Sequence, residues 1–470
     1  MKSHAFLALF FAALSGCAMV GPDYERPQVG IPGQYHESAP EGAALPAMPE
    51  QWWRLYGDPV LDRLVSSGLE HNADTRIAAA RLEEAEAALR EARATYGFPL
   101  VELNTGASRA KSINRASSAA GSGGSSVRND FQFGASTSFE IDFWGRLRRA
   151  NLAAREQYFA SRYGRDVVTL TLIAVIAQSY FAVRSVDAQL LTSAEALQAA
   201  DESLVLVQKR AQAGLVSDLD VYQTNSLRAQ TAAQVKELRR QRAVNLHQLG
   251  QLSGIPDLDL VAGDLRNVPT PPLPPAGLPS SLIERRPDVR EAEAKLAAAT
   301  HLIGVEKAAQ FPTVRLTGAF GGQSDELNKL FSADSGVWSI GLGLVAPIFD
   351  AGRFAARTDQ AAARARQAAA AYDKVVENAF REVSDSLSNV RLAADTEQDL
   401  AERVDQARKT LRLAQLRYQS GYSAYLEVLD AQRNHNDAQL AYVRNRQQYL
   451  GYTVDLMRSL GGGWTDLTGK

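Results

Sequence analysis

The chain is poor in the residues from which most reactive sites are built. It has one cysteine, Cys17, so no internal disulfide can form. Four methionines, the initiator included, give no support for a sulfur relay to copper. The six histidines (His4, His36, His71, His247, His301 and His435) are scattered, with none at the spacing of a metal-binding pair. There is no nucleophile elbow and no phosphate loop. We therefore expect no catalytic residue, no metal, no cofactor and no enzymatic activity. Charge is also nearly absent as a net quantity, −2 from 51 basic and 53 acidic side chains, which gives no reason to expect a nucleic acid partner. Beyond the N-terminus no run of 18 apolar residues occurs, so no transmembrane helix is expected in the mature chain.

One motif has to be set aside. "GLGLVA" (Gly341 to Ala346) matches a dinucleotide-binding fingerprint, which needs a helix opening at its glycines to receive a pyrophosphate. Here the strand-like alternation runs straight through and Pro347 follows, so the glycines read as small residues on one face of a strand. The helical carboxylates Asp395, Glu397, Asp399, Glu402 and Asp405 read as a solvated face.

What is present is a repeat. Gly214 and Gly421 interrupt two long helix-forming runs and lie 207 positions apart (421 − 214), the same offset as Gly145 and Gly352. Each half has a helix, two alternating segments, a long helix, a glycine turn and a returning helix. The first repeat covers 60–265, with strands expected at 98–108 and 131–143 and a helical hairpin at 146–253. The second covers 280–460, with strands at 311–322 and 337–349 and a hairpin at 353–460. A proline-rich linker, 266–279, separates them, and 461–470 is a short tail. In "FQFGASTSFEIDF", Phe131, Phe133, Ala135, Thr137, Phe139 and Ile141 share one face, with small polar residues on the other. Alternation of this kind fits a membrane barrel strand and a sandwich strand equally well. The run from Arg353 to Ser420, free of Gly and Pro, would span about 100 Å as one helix, too long for a single globular core, so it must be packed along its length.

The N-terminus carries an address. "MKSHAFLALFFAALSG" has a basic start, an apolar run and small residues, the pattern of a secretory signal over 1–16. "LSGC" resembles a bacterial lipobox, making Cys17 the expected lipid-attachment site and the start of a lipidated arm over 17–59. Residue 18 is Ala and not Asp, which by resemblance to Gram-negative lipoproteins favours the outer membrane.

The lipobox, "QWWRLYGDPVLDRLV", "ERRPDVREAEAKLAAA", "FDAGR" and "LGGGW" together resemble the outer-membrane factor (TolC-like) family, in its lipid-anchored OprM-like and NodT-like branch, over essentially the whole mature chain. The resemblance implies a mainly α fold with membrane β. Each chain of a homotrimer would give four strands to a 12-stranded outer-membrane β-barrel, joined to a helical periplasmic tunnel. It implies a passive efflux duct working with a periplasmic adaptor and an inner-membrane transporter. It places Gly214, Leu215, Ser217, Gly421, Tyr422 and Ser423 at hairpin tips that meet the adaptor, and Leu411 and Gln415 at the pore gate. Gln415 stands where the relatives carry an acidic residue, so a hydrogen-bonded ring would replace a charged one. Independently, Gly214 and Gly421 suit helix ends needing positive φ, and Ser217 and Ser423 are placed to cap the returning helices. The alternative function is a structural envelope lipoprotein without transport. Four strands cannot close a barrel, whose minimum is about eight, so the chain is expected to oligomerise.

Overall fold

The computed structural model describes residues 19–28, 30, 48–113, 125–272 and 284–464. Cys17 and the signal segment lie outside the described residues. In chain order the helices and strands are α1 (Pro59–His71), α2 (Ala73–Gly97), β1 (Leu100–Ile113), β2 (Ser125–Ile141), α3 (Arg146–Gln212), α4 (Asp218–Ser253), α5 (Pro287–Ala308), β3 (Thr313–Ser324), β4 (Gly336–Val345), α6 (Arg353–Gln419) and α7 (Tyr425–Ser459). The two long helices of the repeat, α3 and α6, are both 67 residues, about 100 Å each at 1.5 Å per residue. The chain forms two compact units, one from residues 1–27, 82–161 and 292–372, the other from 28–81, 162–291 and 373–470.

The first unit holds a four-stranded antiparallel sheet in the order β1-β2-β3-β4. Its register explains the alternation in the sequence. Leu103, Ala135, Phe320 and Trp338 stand in one row across the four strands, and Val101, Thr137, Gly318 and Ile340 in the next row on the same face. Phe139, Leu316 and Leu342, then Ile141, Val314 and Leu344, continue that face. The opposite face carries Glu102, Ser136, Ala319 and Ser339 in one row and Glu140, Arg315 and Gly343 in another. The apolar face is open: Leu103, Phe320, Trp338, Ile340, Leu342 and Leu344 are all largely exposed. In water such a patch is a strong signal of an interaction surface. Both edges, β1 and β4, pair on one side only.

The strands start later than the alternation suggests, for a local reason. Phe98 N–H still donates to Ala94 C=O, and Phe311 N–H to Ala308 C=O, so the preceding helix holds the chain up to a proline that has no N–H to give the ladder. β1 and β3 therefore open at Leu100 and Thr313. β4 ends at Val345, two residues before Pro347. At the other end β1 and β2 run well beyond the cleanly alternating stretch, to Ile113 and from Ser125.

The second unit has its core around the middle of α3. Trp52, Tyr56, Leu61, Ile176, Tyr180, Phe181, Leu249, Leu450 and Met457 are fully buried there. The C-terminal part of the 17–59 arm folds into this core. Trp52–Tyr56 is a turn of 3-10 helix with both tryptophans and Tyr56 inside, and Tyr56 hydroxyl lies 2.7 Å from Thr453 Oγ1. Asp58 caps α1 by accepting from Val60 N–H at 2.8 Å, with Pro59 in the first turn where no N–H is needed. Tyr180 hydroxyl donates to the other Asp58 oxygen. Among the described residues, α3 is the one helix with a window apolar enough to cross a membrane. The window escapes a strict count of consecutive apolar residues because threonines and Gln178 punctuate it. Leu172, Ile173, Ile176, Ala177, Phe181 and Val183 from this stretch are buried in the core, so it serves as a core helix. At the C-terminus Gly461, Gly462 and Gly463 all have positive φ, and a Cβ on Gly462 would sit 2.2 Å from Leu170 Cδ1.

Phe181 contacts Tyr56 with ring centroids 5.0 Å apart and Tyr180 at 5.8 Å. Phe181→Ala should cost about 3–5 kcal/mol of unfolding free energy, and Phe181→Leu should recover most of it. Urea unfolding of detergent-solubilised protein, followed by near-UV circular dichroism, checks both values.

Candidate functional site

The two hairpin turns are built alike. Gly214, at φ +70°, follows α3, and Gly421, at φ +79°, follows α6. In the first turn Gly214 N–H donates to Ala211 C=O and Leu215 N–H to Arg210 C=O, at 2.9 Å each. In the second, Gly421 N–H donates to Tyr418 C=O at 3.0 Å and Tyr422 N–H to Arg417 C=O at 2.9 Å. This is the same pair of bonds closing a helix C-terminus through a left-handed residue. A Cβ at either glycine would meet nothing within 4 Å, so the requirement is for backbone conformation and not for space.

The restarts differ. Ser217 is the N-cap of α4, its hydroxyl accepting from Leu219 N–H at 3.0 Å while Asp220 carboxylate accepts from Ser217 N–H at 3.2 Å. These contacts form a complete capping box. Ser423 does not cap α7. The N-cap is Ala424, which has no side-chain acceptor, and Ser423 hydroxyl is buried with no partner among the described residues. Both returning helices start four residues after their turn glycine, but Ser217 is three residues past Gly214 and Ser423 only two past Gly421, so the second serine stands one residue ahead of the N-cap and out of reach.

At both turns an apolar side chain is left in the open. Leu215 is 73 % exposed and Tyr422 80 %. Leu219 and Tyr222, one turn into α4, are 61 % and 70 % exposed and extend the same apolar surface. The sequence offered a signal for these two, large apolar residues immediately after a cap, which reading turn by turn passed over. Val216 turns the other way, against a cluster of Val207, Ala414, Tyr418, Tyr425, Val428 and Leu429. Tyr418 and Tyr425 rings lie 4.8 Å apart, and the Arg210 guanidinium covers Tyr418 at 4.8 Å. The cluster takes side chains from α3, α6 and α7, with Val221 and Leu227 of α4 packed on it, and so joins one hairpin to the other.

Leu411 and Gln415 are brought together. Both are half-buried and line a cavity of about 200 Å³ with Thr192, Gln230, Gln432, His435 and Asn436, and Leu411 also packs on the tip cluster. Gln432 Oε1, His435 Nδ1 and Asn436 Oδ1 are buried without partners among the described residues, as expected of a space that holds water. Burial, and secondarily the Arg408 charge, hold His435 below its usual range. Among the described residues no group of three or more His, Cys, Asp or Glu is placed to hold a metal.

In the first unit, the arm that follows Cys17 has a built seat. Val20 N–H donates to Trp144 C=O at 3.0 Å, just past the end of β2. Gly21, at φ +101°, lies against Gly304 so closely that a Cβ there would be 2.5 Å from the Gly304 Cα. Arg149, 1 % exposed, donates to Gly21 C=O at 3.1 Å and pairs with Asp23 at 2.9 Å, while His301 Nδ1 lies 3.3 Å from its other nitrogen. Burial and the Arg149 charge lower the His301 pKa, which keeps the ring an acceptor. Arg26 makes a two-pronged bond to Glu293 at 2.6 and 3.0 Å, and Tyr24 hydroxyl donates to the same carboxylate.

A sequence model of the family described as outer membrane efflux protein matches residues 64–255 and 278–462. The chain is 34 % identical over 482 residues to the probable efflux pump outer membrane protein TtgC of Pseudomonas putida, covering 100 % of this chain and 97 % of that one. It is 33 % identical over 464 residues to the cation efflux system protein CusC of Escherichia coli, covering 96 % and 97 %. Among solved structures it resembles the outer-membrane channel OprN, with a TM-score of 0.88, 28 % identity and coverage of 95 % and 100 %. It also resembles the open state of the Neisseria gonorrhoeae MtrE outer membrane channel, with a TM-score of 0.84, 29 % identity and coverage of 95 % and 99 %.

The unequal caps give a direct expectation. Ser217→Ala should cost about 1 kcal/mol, the usual loss for an N-cap. Ser423→Ala should stay within about 0.5 kcal/mol or stabilise slightly, because it removes an unpartnered hydroxyl. Denaturant midpoints of the two variants check the difference, and equal losses would refute it.

Proposed function

The chain belongs to the outer membrane efflux protein family, and from that premise we propose that three copies form a passive duct docked to a periplasmic adaptor and an inner-membrane pump. The chain is the outer-membrane channel component of an efflux system. The observation that carries the duct reading is the sheet. It has an apolar face and a polar face across all four strands, and hydrogen-bonding edges left over on both sides. In lipid those edges must be closed, and neighbouring copies can close them into one barrel with the apolar face outward and the polar face lining a water-filled lumen. Family resemblance favours three copies, hence twelve strands. A purely structural envelope lipoprotein would have no need of a polar inner face. We assign no catalytic role to any residue.

Cys17 is the lipidated N-terminus in this reading. The seat for Met19–Arg26 supports it, because it fixes the chain only a few residues downstream of Cys17, beside the end of β2. Gly214, Leu215, Ser217, Gly421, Tyr422 and Ser423 form the adaptor-docking tips, with Leu219 and Tyr222 added. Support comes from exposed apolar side chains on turns that would otherwise be polar. Leu411 and Gln415 act in the gate, where the polar cavity leaves α6 room to shift against its neighbours. The cargo is not read from identity. Relatives at nearly equal distance are named for toluene and for cations.

Purified protein in planar bilayers should show discrete conductance steps, and a protein that inserts without conducting would favour the structural alternative. Leu215→Glu with Tyr422→Glu should abolish export in cells while leaving membrane insertion and oligomer size unchanged. Normal export and undiminished adaptor crosslinking would reduce the tips to plain turns. Leu411→Gly with Gln415→Ala should raise conductance, and an unchanged value places the gate elsewhere. Mass spectrometry should find acyl chains on Cys17, and an unmodified N-terminus at another residue would overturn that assignment.

A further inference from the structure

The register between β1 and β2 is unbroken from Leu100↔Ser138 to Ile113↔Ser125. With no bulge, side-chain parity holds to the end of the strand. Arg109 and Lys111 therefore lie on the same face as Val101, Leu103, Thr105 and Ala107, the apolar face, and both are exposed. Opposite them on that face stand Asn129 and Val127 of β2. Arg128, which lies across from Ala110 between the two, belongs to the polar face. Arg109 and Lys111 are thus cations on the outside of the sheet, at the end away from Trp144 and the N-terminal seat. Among the described residues no acidic side chain pairs with either.

Their height is informative. Arg109 is eight residues along β1 from Val101. At ~3.4 Å per residue and a tilt of ~40° this is roughly 20 Å, and Lys111 is roughly 5 Å higher. The apolar band of a membrane barrel is ~25 Å tall, so the pair falls at its outer edge. Aromatic side chains lie just below them on the same face: Phe131 is opposite Ala107 and Phe133 opposite Thr105, two and four residues short of Arg109, and Phe133 meets Phe331 edge-on at 5.4 Å. A cation at the middle of the band would be strongly unfavourable, but at its edge it reaches polar headgroups, and the anions there are lipid phosphates.

We propose that Arg109 and Lys111 form a binding site for the phosphate groups of an outer-leaflet glycolipid, on the lipid side of β1. The site rests on the outer-membrane barrel reading, since only in that setting does this face meet lipid. The two side chains, two residues apart on one face, are spaced ~7 Å along the strand and contact the headgroup from a single strand, next to the seam where β1 meets the neighbouring copy. Bound lipid would then cover the line along which two protomers join.

The test is native mass spectrometry of the full-length detergent-solubilised oligomer titrated with diphosphoryl lipid A. The wild type should retain it, and Arg109→Gln with Lys111→Gln should lower retention by about tenfold or more, two cations each contributing at an anionic surface. Arg128→Gln removes the same charge at the same height from the opposite face and should stay within about twofold of wild type. Equal retention by the double variant, or an equal loss in Arg128→Gln, overturns the site. So does retention of fully dephosphorylated lipid A as strong as that of the diphosphoryl form. Inorganic phosphate at millimolar concentration should not displace the lipid, and displacement would identify a small-anion site instead. Conductance of the Arg109→Gln, Lys111→Gln double variant, measured separately, should match wild type, so failure of the lipid site and failure of the duct reading give different results.

Discussion

A peptide group facing hydrocarbon has no water to satisfy it, and an unpaired N–H or C=O there costs several kcal/mol. The four-stranded sheet meets this constraint internally at β1-β2, β2-β3 and β3-β4, and leaves it unmet along the outer sides of β1 and β4. The rest of the architecture follows from that shortfall. One chain cannot be a finished object in a membrane. Its partner must offer a matching strand, and the simplest partner is another copy. The alternation of Phe, Trp, Ile and Leu with Ser, Gly and Gln then sorts lipid from water on the two sides of the wall.

Helices solve the remaining problem of distance. A helix satisfies its own backbone, so 67 residues can continue without a sheet partner, provided one stripe is buried along the length. The burial is concentrated where aromatic and aliphatic residues gather, around Trp52, Tyr56 and Phe181 in one place and around Tyr418 and Tyr425 in another. Between such clusters the interior is polar and loosely filled, as at Gln432, His435 and Asn436. Uneven packing of this kind lets part of a long helix move while the rest stays fixed.

Much of this was legible in the sequence because it depends on periodicity and on glycine. The repeat offset, the outward positions of β2 and β4, and the positive φ of Gly214 and Gly421 follow from patterns a few residues wide. Strand ends were less legible. The helix hydrogen bonds that hold Phe98 and Phe311 are set by their neighbours, and the outer ends of β1 and β2 are rich in Ser, Arg and Lys, which do not announce a strand. Ser423 looked equivalent to Ser217, yet the 207 offset pairs Ser217 with Ala424, and Ser423 falls one residue before the N-cap. Nothing in the sequence marked Arg149. Its meaning comes from Gly21, Asp23 and His301, which are distant in sequence and brought together only by packing.

The unequal restarts of α4 and α7 also bear on how the duplicated tips behave in time. One tip has a capping box closing its returning helix, and the other begins at an alanine with no acceptor for its first amides. Two hairpins of the same design therefore fray at different rates, and amide hydrogens at the start of α7 should exchange before those at the start of α4. Duplication supplied two similar hooks, and the loss of one hydroxyl contact makes one of them the compliant partner. In the docking role proposed for these tips, the uncapped one would be the foothold better able to adjust to an adaptor.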